Sequence, residues 1–251
     1  MPSSARERLS RTWRTITESV FPPGLSCALC GHEIDPALQD TLCSDCEGRI
    51  RVIGEERCER CGALCPDLSD LCLKCTYELP HFELARSWAD YTGPVRELIL
   101  AYKESNCRYL SGYLARRLLE VYEQGELSRP DLVTCVPASR FSARRRGFAH
   151  TELLAEEFCR LAALEFSPVI ERVKETSPQK SVRHRDREEN VKSSFSVGSE
   201  AEIKGKKILI IDDLKTTGAT VNECADVLKR AGAARVEVLT CASVAPVYQS
   251  M

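Results

Sequence analysis

The fold is decided by one stretch, Ile208-Leu-Ile-Ile-Asp212-Asp213-Leu-Lys215-Thr216-Thr217-Gly218-Ala219-Thr220. The β-branched apolar run 208–211 has the length of a buried strand. Residues 219–231 repeat apolar side chains at helical spacing and are followed by Gly232, which predicts a helix that ends there. The turn between the two elements therefore opens a helix.

This turn predicts a site for a sugar phosphate. The first backbone N–H groups of a helix lack intrahelical partners and the macrodipole is positive there, which favours an anion. The predicted phosphate-binding residues are Thr216, Thr217, Gly218 and Thr220. Asp212 and Asp213 stand at the carboxyl end of the strand, where open α/β sheets bind ligands, and carboxylates accept hydrogen bonds from adjacent hydroxyls. Phosphate on one side and a diol on the other predict a ribose 5-phosphate.

Two other interpretations of the stretch stay open. In the first, the acids and threonines only cap the next helix. In the second, the paired acids form the pocket of a receiver domain, but that fold places them after its first strand, and only one convincing strand, 235–244, follows here. The sequence has no Walker A lysine motif, which argues against an ATP-binding loop of that type.

Composition indicates a folded protein of one large or two modest domains. The chain has 251 residues, 43% of them apolar, and a formal charge of −2. No apolar run has the length of a membrane span and the N-terminus lacks the pattern of a signal peptide, so we expect a cytoplasmic protein with no membrane span. Basic residues cluster locally, around residues 140–146 and 180–187, where each cluster can meet a polyphosphate or a nucleic-acid backbone.

Nine of the fourteen cysteines lie between Cys27 and Cys75, and eight of the nine form four C-x-x-C pairs. In a cytosolic chain, two such pairs are better explained by one tetrahedral zinc ion than by disulfides. The predicted ligands in sequence order are Cys27, Cys30, Cys43 and Cys46 for one ion, and Cys58, Cys61, Cys72 and Cys75 for the other, with interleaved pairing left open. Four thiolates leave no position for water, so both zinc sites are predicted to be structural.

The remaining pattern predicts a parallel α/β sheet. Three segments are assigned: a basic amphipathic helix at 1–22, a double zinc-ribbon module at 23–80, and the α/β domain at 84–248. Strands at 85–91 and 131–136 alternate with helices that begin near residues 93, 109 and 151.

The N-terminal helix packs on the rest of the protein or contacts a partner or membrane surface. The five scattered cysteines, Cys107, Cys135, Cys159, Cys224 and Cys241, are predicted to be small core residues.

Two loops are candidates for further contacts with the ligand. The strand end at 136–140 leads into the basic loop at 145–148, which suits a diphosphate. The candidate residues there are Pro137, Ser139, Arg140 and Arg146. The alternative is that the arginines form a solvated helix face. The charged segment 171–195 is interpreted as a loop that closes over a ligand, or as a surface excursion or β-hairpin.

The stretch from Ile208 resembles the signature of the type I phosphoribosyltransferases. With the paired-cysteine module, the segment 91–99 followed by Lys103, the loop 146–148, and Gln179 with Arg187-x-x-Asn190, the chain resembles the ComF family over roughly residues 22–246. The resemblance implies a zinc ribbon before a phosphoribosyltransferase domain, and a link to DNA uptake in natural competence. By the same resemblance, Asp212 and Asp213 hold the ribose hydroxyls, and Lys215 to Thr220, Ala219 included, form the 5-phosphate loop.

The chain departs from the family pattern in two places. Cys135 replaces one proline of the usual Pro-Val-Pro, and Ala149-His150 replace the Asn-Gln that usually follows Arg-Gly-Phe. His150 is a candidate hydrogen-bond donor, although a lone histidine at a helix start is more often a cap or a surface residue, and this second interpretation is favoured.

The leading functional hypothesis is a Mg²⁺-dependent site for 5-phosphoribosyl-1-diphosphate, in which electrostatics stabilise the leaving diphosphate and phosphoribose passes to an unidentified acceptor. This would make the chain a pentosyltransferase. One rival is a non-catalytic adaptor that senses nucleotides or binds single-stranded DNA alongside competence proteins. Another is a scaffold with a silent transferase fold. A homo-oligomer is a further expectation.

Overall fold

The computed structural model describes residues 26–34, 41–65, 70–104, 107–139, 148–173, 193–199 and 201–245. The predicted N-terminal helix, Arg140, Arg146 and residues 174–192 of the charged loop lie outside this range. By compactness the chain divides into two units, Met1–Arg49 and Ile50–Met251. The segment boundaries expected from sequence stay predictions.

Six helices and six strands are assigned in the described residues. The helices are α1 Ser44–Glu47, α2 Leu73–Tyr77, α3 Gly93–Glu104, α4 Leu110–Glu123, α5 His150–Ala162 and α6 Ala219–Arg230. The strands are β1 Leu84–Asp90, β2 Leu132–Cys135, β3 Ile170–Arg172, β4 Phe195–Val197, β5 Lys207–Lys215 and β6 Arg235–Ser243. Among described residues, no helix combines the length and apolar character that crossing a membrane requires.

Four strands form a parallel sheet in the order β1-β6-β5-β2. Phe166 adds a short parallel bridge to Val133 at the β2 edge. This confirms the predicted parallel α/β architecture. Because every strand of the sheet points the same way, their carboxyl ends meet at one edge, where such sheets bind their ligands.

The central strand β5 is held by apolar packing on one face of the sheet. Ile208 and Ile210 are buried in a cluster with Val221 and Leu228 of α6. Each such side chain contributes about 1.5–3 kcal/mol when fully buried. The strand and the helix that flank the hydroxyl-rich turn are therefore fixed to each other, and the turn has little freedom to move.

The strand β5 is longer than the sequence predicts. The expected strand covers 208–211, but pairing with β6 continues as Asp212 opposite Thr240 and Lys215 opposite Ser243. The two acids are therefore strand residues, and only 216–218 form the turn. Since successive side chains of a strand point to opposite faces, Asp212 and Asp213 face different sides of the sheet.

The described ends of the charged loop form an antiparallel pair. The strands β3 and β4 align Ile170 with Val197, and the N–H of Val173 donates to the carbonyl of Ser194 at 2.8 Å. A β-hairpin stem, one of the alternatives left open from sequence, therefore begins and ends this loop. Four scattered cysteines, Cys135, Cys159, Cys224 and Cys241, are buried as predicted, whereas Cys107 is half-buried.

The second cysteine group, Cys58 to Cys75, belongs to the same compact unit as the sheet and is called the second ribbon, while Cys27 to Cys46 belong to the first ribbon. Arg86 on β1 is buried, donates to the carbonyl of Glu59 at 2.9 Å and forms an ion pair with Glu126 at 2.5 Å. Arg57 pairs with the same carboxylate. The N–H of Ala85 donates to the carbonyl of Arg60 at 2.9 Å. This ribbon is thus bonded directly to the first strand of the sheet.

Candidate sugar-phosphate site and metal centres

A hollow opens at the carboxyl end of β5. It has an empty volume of about 180 Å³ and is lined by Asp212, Leu214, Lys215, Thr216, Gly218, Thr220 and Val221. Five of the predicted site residues meet here.

The turn ends at a glycine in the left-handed region. Gly218 has φ +78° and precedes the first residue of α6. The hydroxyl of Thr217 accepts a hydrogen bond from the N–H of Ala219 at 3.2 Å, so part of the capping interpretation holds for this one threonine. The hollow lies at the positive end of the α6 dipole, where an anion is stabilised.

Lys215 lines the hollow, but its ammonium group bonds to the neighbouring strand. It is buried, and its Nζ donates to Ser243 Oγ at 2.8 Å. The ammonium therefore lies at the base of the turn, bonded to the neighbouring strand β6. Lys74 of α2 donates to the carbonyl of Thr217 at 3.2 Å, so the second ribbon contacts the outer side of the turn.

Asp212 is a buried acid at the edge of the hollow. Its Oδ1 accepts a hydrogen bond from the N–H of Asp213 at 2.9 Å. Burial, and then the neighbouring charge of Asp213, raises the pKa of Asp212 to about 8, although Lys103 opposes the shift. Asp212 therefore binds a proton near neutral pH until a cation or a hydrogen-bond donor replaces it.

Asp213 has the opposite environment. Its Oδ1 lies 2.8 Å from Lys103 Nζ, and its Oδ2 lies 3.0 Å from His150 Nε2. Burial alone would raise the pKa of Asp213, but Lys103 and His150 outweigh it and hold this pKa well below its usual range. Asp213 is therefore an anion enclosed by two basic side chains.

Sequence reasoning missed the role of Lys103, although the residue was part of the quoted pattern. Lys103 follows Val95 by eight residues and Ile99 by four, so it belongs to the apolar face of α3. A lysine on a buried face needs a partner, and this signal could have identified it. Burial lowers the pKa of Lys103, but the carboxylates of Asp213 and Asp212 raise it by more.

The favoured interpretation of His150 as a cap or surface residue is wrong. The side chain is buried and meets Asp213, because α5 begins under the carboxyl edge of the sheet. Tyr102 helps to place it by donating its hydroxyl to the carbonyl of His150 at 2.6 Å.

The predicted diphosphate residues are only partly described. The N–H of Val136 donates to the carbonyl of Ile211 at 3.1 Å, so Pro137 and Ser139 begin beside the strand that carries Asp212. Both are half-buried and are not among the residues that line the hollow. Arg140 and Arg146 lie outside the described range.

The eight paired cysteines form two clusters in sequence order. Cys27, Cys30, Cys43 and Cys46 lie together, as do Cys58, Cys61, Cys72 and Cys75, with the sulfurs of each cluster all within 4.8 Å of one another. The interleaved pairing is therefore wrong. Cys65 is buried beside the second cluster without belonging to its four-cysteine set.

Both clusters repeat one local geometry. In each, the N–H of the glycine after the second cysteine donates to the carbonyl of the first cysteine at 2.9 Å, for Gly31 to Cys27 and for Gly62 to Cys58. The third cysteine directly precedes a short helix, α1 or α2, and that helix contains the fourth. Two knuckle turns and two helical turns thus bring eight thiols into two groups.

The clusters have the dimensions of tetrahedral zinc sites. The sulfurs of Cys30 and Cys43 lie 3.6 Å apart, and those of Cys61 and Cys72 lie 3.7 Å apart. Zinc–sulfur bonds of about 2.3 Å give a tetrahedron with edges of about 3.8 Å.

Replacing one ligand is expected to remove one zinc ion. Cys58→Ser should reduce the zinc content from about two ions per chain to about one, because a four-coordinate structural site loses most of its affinity with a thiolate. Cys27→Ser should do the same at the other cluster. Elemental analysis of the purified variants measures this, with Cys107→Ser, outside both clusters, as the control. A zinc content equal to that of the wild type would show the ligand assignment to be wrong.

Comparison with known families agrees with both parts of the structure. Residues 145–246 match the phosphoribosyl transferase domain, and residues 16–76 match the double zinc ribbon domain. The adenine phosphoribosyltransferase of Thermoanaerobacter pseudethanolicus aligns with a TM-score of 0.35 at 15% identity, over 60% of this chain and 84% of that one. The two family matches define the class, which is a double zinc ribbon joined to a phosphoribosyltransferase domain.

Relatives of the whole chain narrow this class. The DNA utilization protein YhgH of Salmonella typhimurium is 33% identical over 86% of this chain and 95% of its own length. Competence protein F of Haemophilus influenzae is 28% identical over 78% and 88%, respectively. The chain belongs to the ComF family of competence and DNA-utilization proteins.

Proposed function

We propose that the protein binds 5-phosphoribosyl-1-diphosphate with Mg²⁺ at the end of β5 and transfers the phosphoribosyl group to an acceptor. The observation that carries the proposal is the hollow itself, where Asp212 lies seven residues before the start of α6 at Ala219 in a phosphoribosyltransferase domain. Anion-binding groups and a carboxylate thus share one small space.

The phosphate end of the proposed site is the turn and the first residues of α6. Thr216 and Thr220 offer hydroxyl donors, and the backbone from Gly218 onward offers N–H groups at the positive end of the helix. Ala219 belongs to the same loop through its backbone. Lys215 adds a buried positive charge at the base of the turn, which increases the attraction for a dianionic ester.

The ribose end is the pair of acids. Carboxylate oxygens accept hydrogen bonds from sugar hydroxyls and are the ligands that Mg²⁺ prefers. Asp212 faces the hollow and offers two such carboxylate oxygens. When bound, Mg²⁺ would supply positive charge that neutralises the diphosphate.

The leaving group is expected on the β2 side of the hollow. The bond between ribose C1 and the diphosphate oxygen breaks, diphosphate leaves with the electron pair, and the acceptor forms the new bond to C1. Pro137 and Ser139 begin beside β5, and we propose that their segment, with Arg140 and Arg146, contacts the diphosphate.

The names of the relatives support a proposal about the biological role. Because they are named for competence and DNA utilization, we propose a role in the uptake or use of DNA, with competence proteins and a second copy of the chain as partners. Eight metal-binding thiols are best kept in a reducing compartment, which supports a cytoplasmic location.

The alternative function is a non-catalytic adaptor that senses a nucleotide or binds single-stranded DNA. Steady diphosphate release with an acceptor would favour the enzyme, and salt-sensitive DNA binding without release would favour the adaptor.

Calorimetry with 5-phosphoribosyl-1-diphosphate and Mg²⁺ tests the binding proposal. The wild type is expected to bind, and the double change Asp212→Asn with Asp213→Asn is expected to lose at least about tenfold in affinity, because both carboxylates disappear. Equal weak binding by both proteins would refute the proposal.

Affinity of the wild type should rise as pH increases toward about 8, since ligand and cation then no longer displace a proton from Asp212.

A further inference from the structure

The carboxylates of Asp212 and Asp213 are adjacent in sequence but differ in what surrounds them. Asp213 is 2% exposed, and each of its two oxygens lies within 3.0 Å of a basic nitrogen. Asp212 is 8% exposed and lines the hollow. Among the described residues, Oδ2 of Asp213 lies close to His150 but makes no well-aligned hydrogen bond, so the ion pair of Oδ1 with Lys103 is the firmer of the two contacts. Asp212 is the acid that faces the ligand space.

The two basic partners of Asp213 are themselves fixed by packing. Lys103 lies in the last turn of α3, and His150 is the first residue of α5. The rings of Tyr102 and His150 meet edge to face with centroids 6.2 Å apart. The hydroxyl of Thr151 donates to the carbonyl of Val136 at 2.7 Å, which ties the start of α5 to the end of β2. Helices α3 and α5 thus converge on one side chain of β5.

A carboxylate held in this way is poorly suited to bind a sugar. To turn toward the ligand, Asp213 would leave Lys103 as a largely buried ammonium without its partner, and such a charge is costly. Asp212 is placed differently, because its Oδ1 accepts from the adjacent backbone N–H and its side chain lines the hollow.

We propose that Lys103 and His150 are positioning residues that lock Asp213 inside the protein, so that Asp212 is the acid that meets the ribose. This inference rests on the proposed function and divides its two carboxylates between binding and support. The anion of Asp213 fixes the end of β5 against α3 and α5. That contact sets the place and direction of Asp212 at the hollow.

His150 provides the sharpest test of the inference. Its Nε2 lies 3.0 Å from Asp213 Oδ2, and glutamine offers an N–H donor in its place, whereas leucine offers none. His150→Gln should preserve the function of the contact, and His150→Leu should abolish it.

Calorimetry with two probes tests the positioning role. His150→Leu is expected to bind 5-phosphoribosyl-1-diphosphate with Mg²⁺ about tenfold to a hundredfold more weakly than the wild type, as losses of supporting contacts usually do. Its affinity for inorganic phosphate should stay unchanged, because phosphate needs only the turn and the start of α6. His150→Gln should restore binding to within about threefold of the wild type. His81→Leu, at an exposed histidine whose side chain meets Asp226 on α6 and does not line the hollow, is the matched control.

The outcomes separate the proposals. Wild-type affinity of His150→Leu for 5-phosphoribosyl-1-diphosphate would overturn the positioning role while leaving the proposed function intact. Equal losses for both probes would also overturn it, since they indicate general damage to the fold. Failure of the wild type to bind either probe would overturn the proposed function itself, and this inference with it.

Discussion

Gly62→Ala is expected to lower the melting temperature of the sheet-containing unit. A Cβ at this position would lie 2.4 Å from the carbonyl oxygen of Ala85 and 3.1 Å from the Cα of Arg86. Both are backbone atoms of β1, which is paired with β6 and cannot move away without loss of sheet hydrogen bonds. The residue also has φ +64°, which adds strain of about 1–2 kcal/mol for alanine.

The matched control is Gly31→Ala, at the equivalent turn of the first ribbon. Gly31 has φ +72°, but a Cβ there meets nothing within 4 Å. Backbone strain is therefore common to the two variants, and the collision with β1 occurs only in Gly62→Ala. We expect a cost of several kcal/mol at Gly62 and about 1–2 kcal/mol at Gly31. Thermal unfolding followed by circular dichroism measures both, and equal shifts in the two variants would contradict the prediction.

Asp212→Asn is expected to stabilise the protein at neutral and alkaline pH, although it removes a site residue. Folding raises the pKa of Asp212 from 3.8 to about 8. Between these values the folded state retains a proton that the unfolded state has released, so stability falls as pH rises through this window. Asparagine is uncharged throughout, and its side-chain oxygen can still accept from the N–H of Asp213.

Asp213→Asn, the same substitution one residue later, should destabilise the protein. Asp213→Asn leaves Lys103 without its partner, and the cost of breaking a buried pair is about 3–5 kcal/mol. The gain from Asp212→Asn is on the order of a few kcal/mol at pH 8, or roughly 5–10 °C in melting temperature for a chain of this size. Melting curves between pH 5 and pH 9 compare the three proteins. A wild type and an Asp212→Asn variant with parallel pH profiles would disprove the assignment.

The sequence was sufficient for the parts of the fold that depend on local pattern. The apolar run at 208–211 and the helix that starts at Ala219 follow from periodicity, and both lie where expected. The two cysteine groups follow from the C-x-x-C spacing, because a knuckle turn and a tetrahedral ion leave few other arrangements. Each of these features depends only on residues that lie close together in the sequence.

The sequence was insufficient where distant residues decide the outcome. The end of β5 lies four residues later than predicted because β6 supplies partners up to Ser243. The contact of Asp213 with Lys103 and His150 joins residues 110 and 63 positions apart, and no local pattern encodes it. Similarly, the contact of Lys74 with Thr217 depends on how the second ribbon meets the sheet.

The two ribbons look alike in sequence, yet compactness divides the chain between them, at Arg49 and Ile50, and leaves the second with the sheet. A natural recombination event that exchanged only residues before Ile50 would keep every contact among Gly62, Arg86 and Glu126. The constraint from β1 therefore acts on the second ribbon. The second ribbon is expected to diverge more slowly, since each change in it must also suit β1.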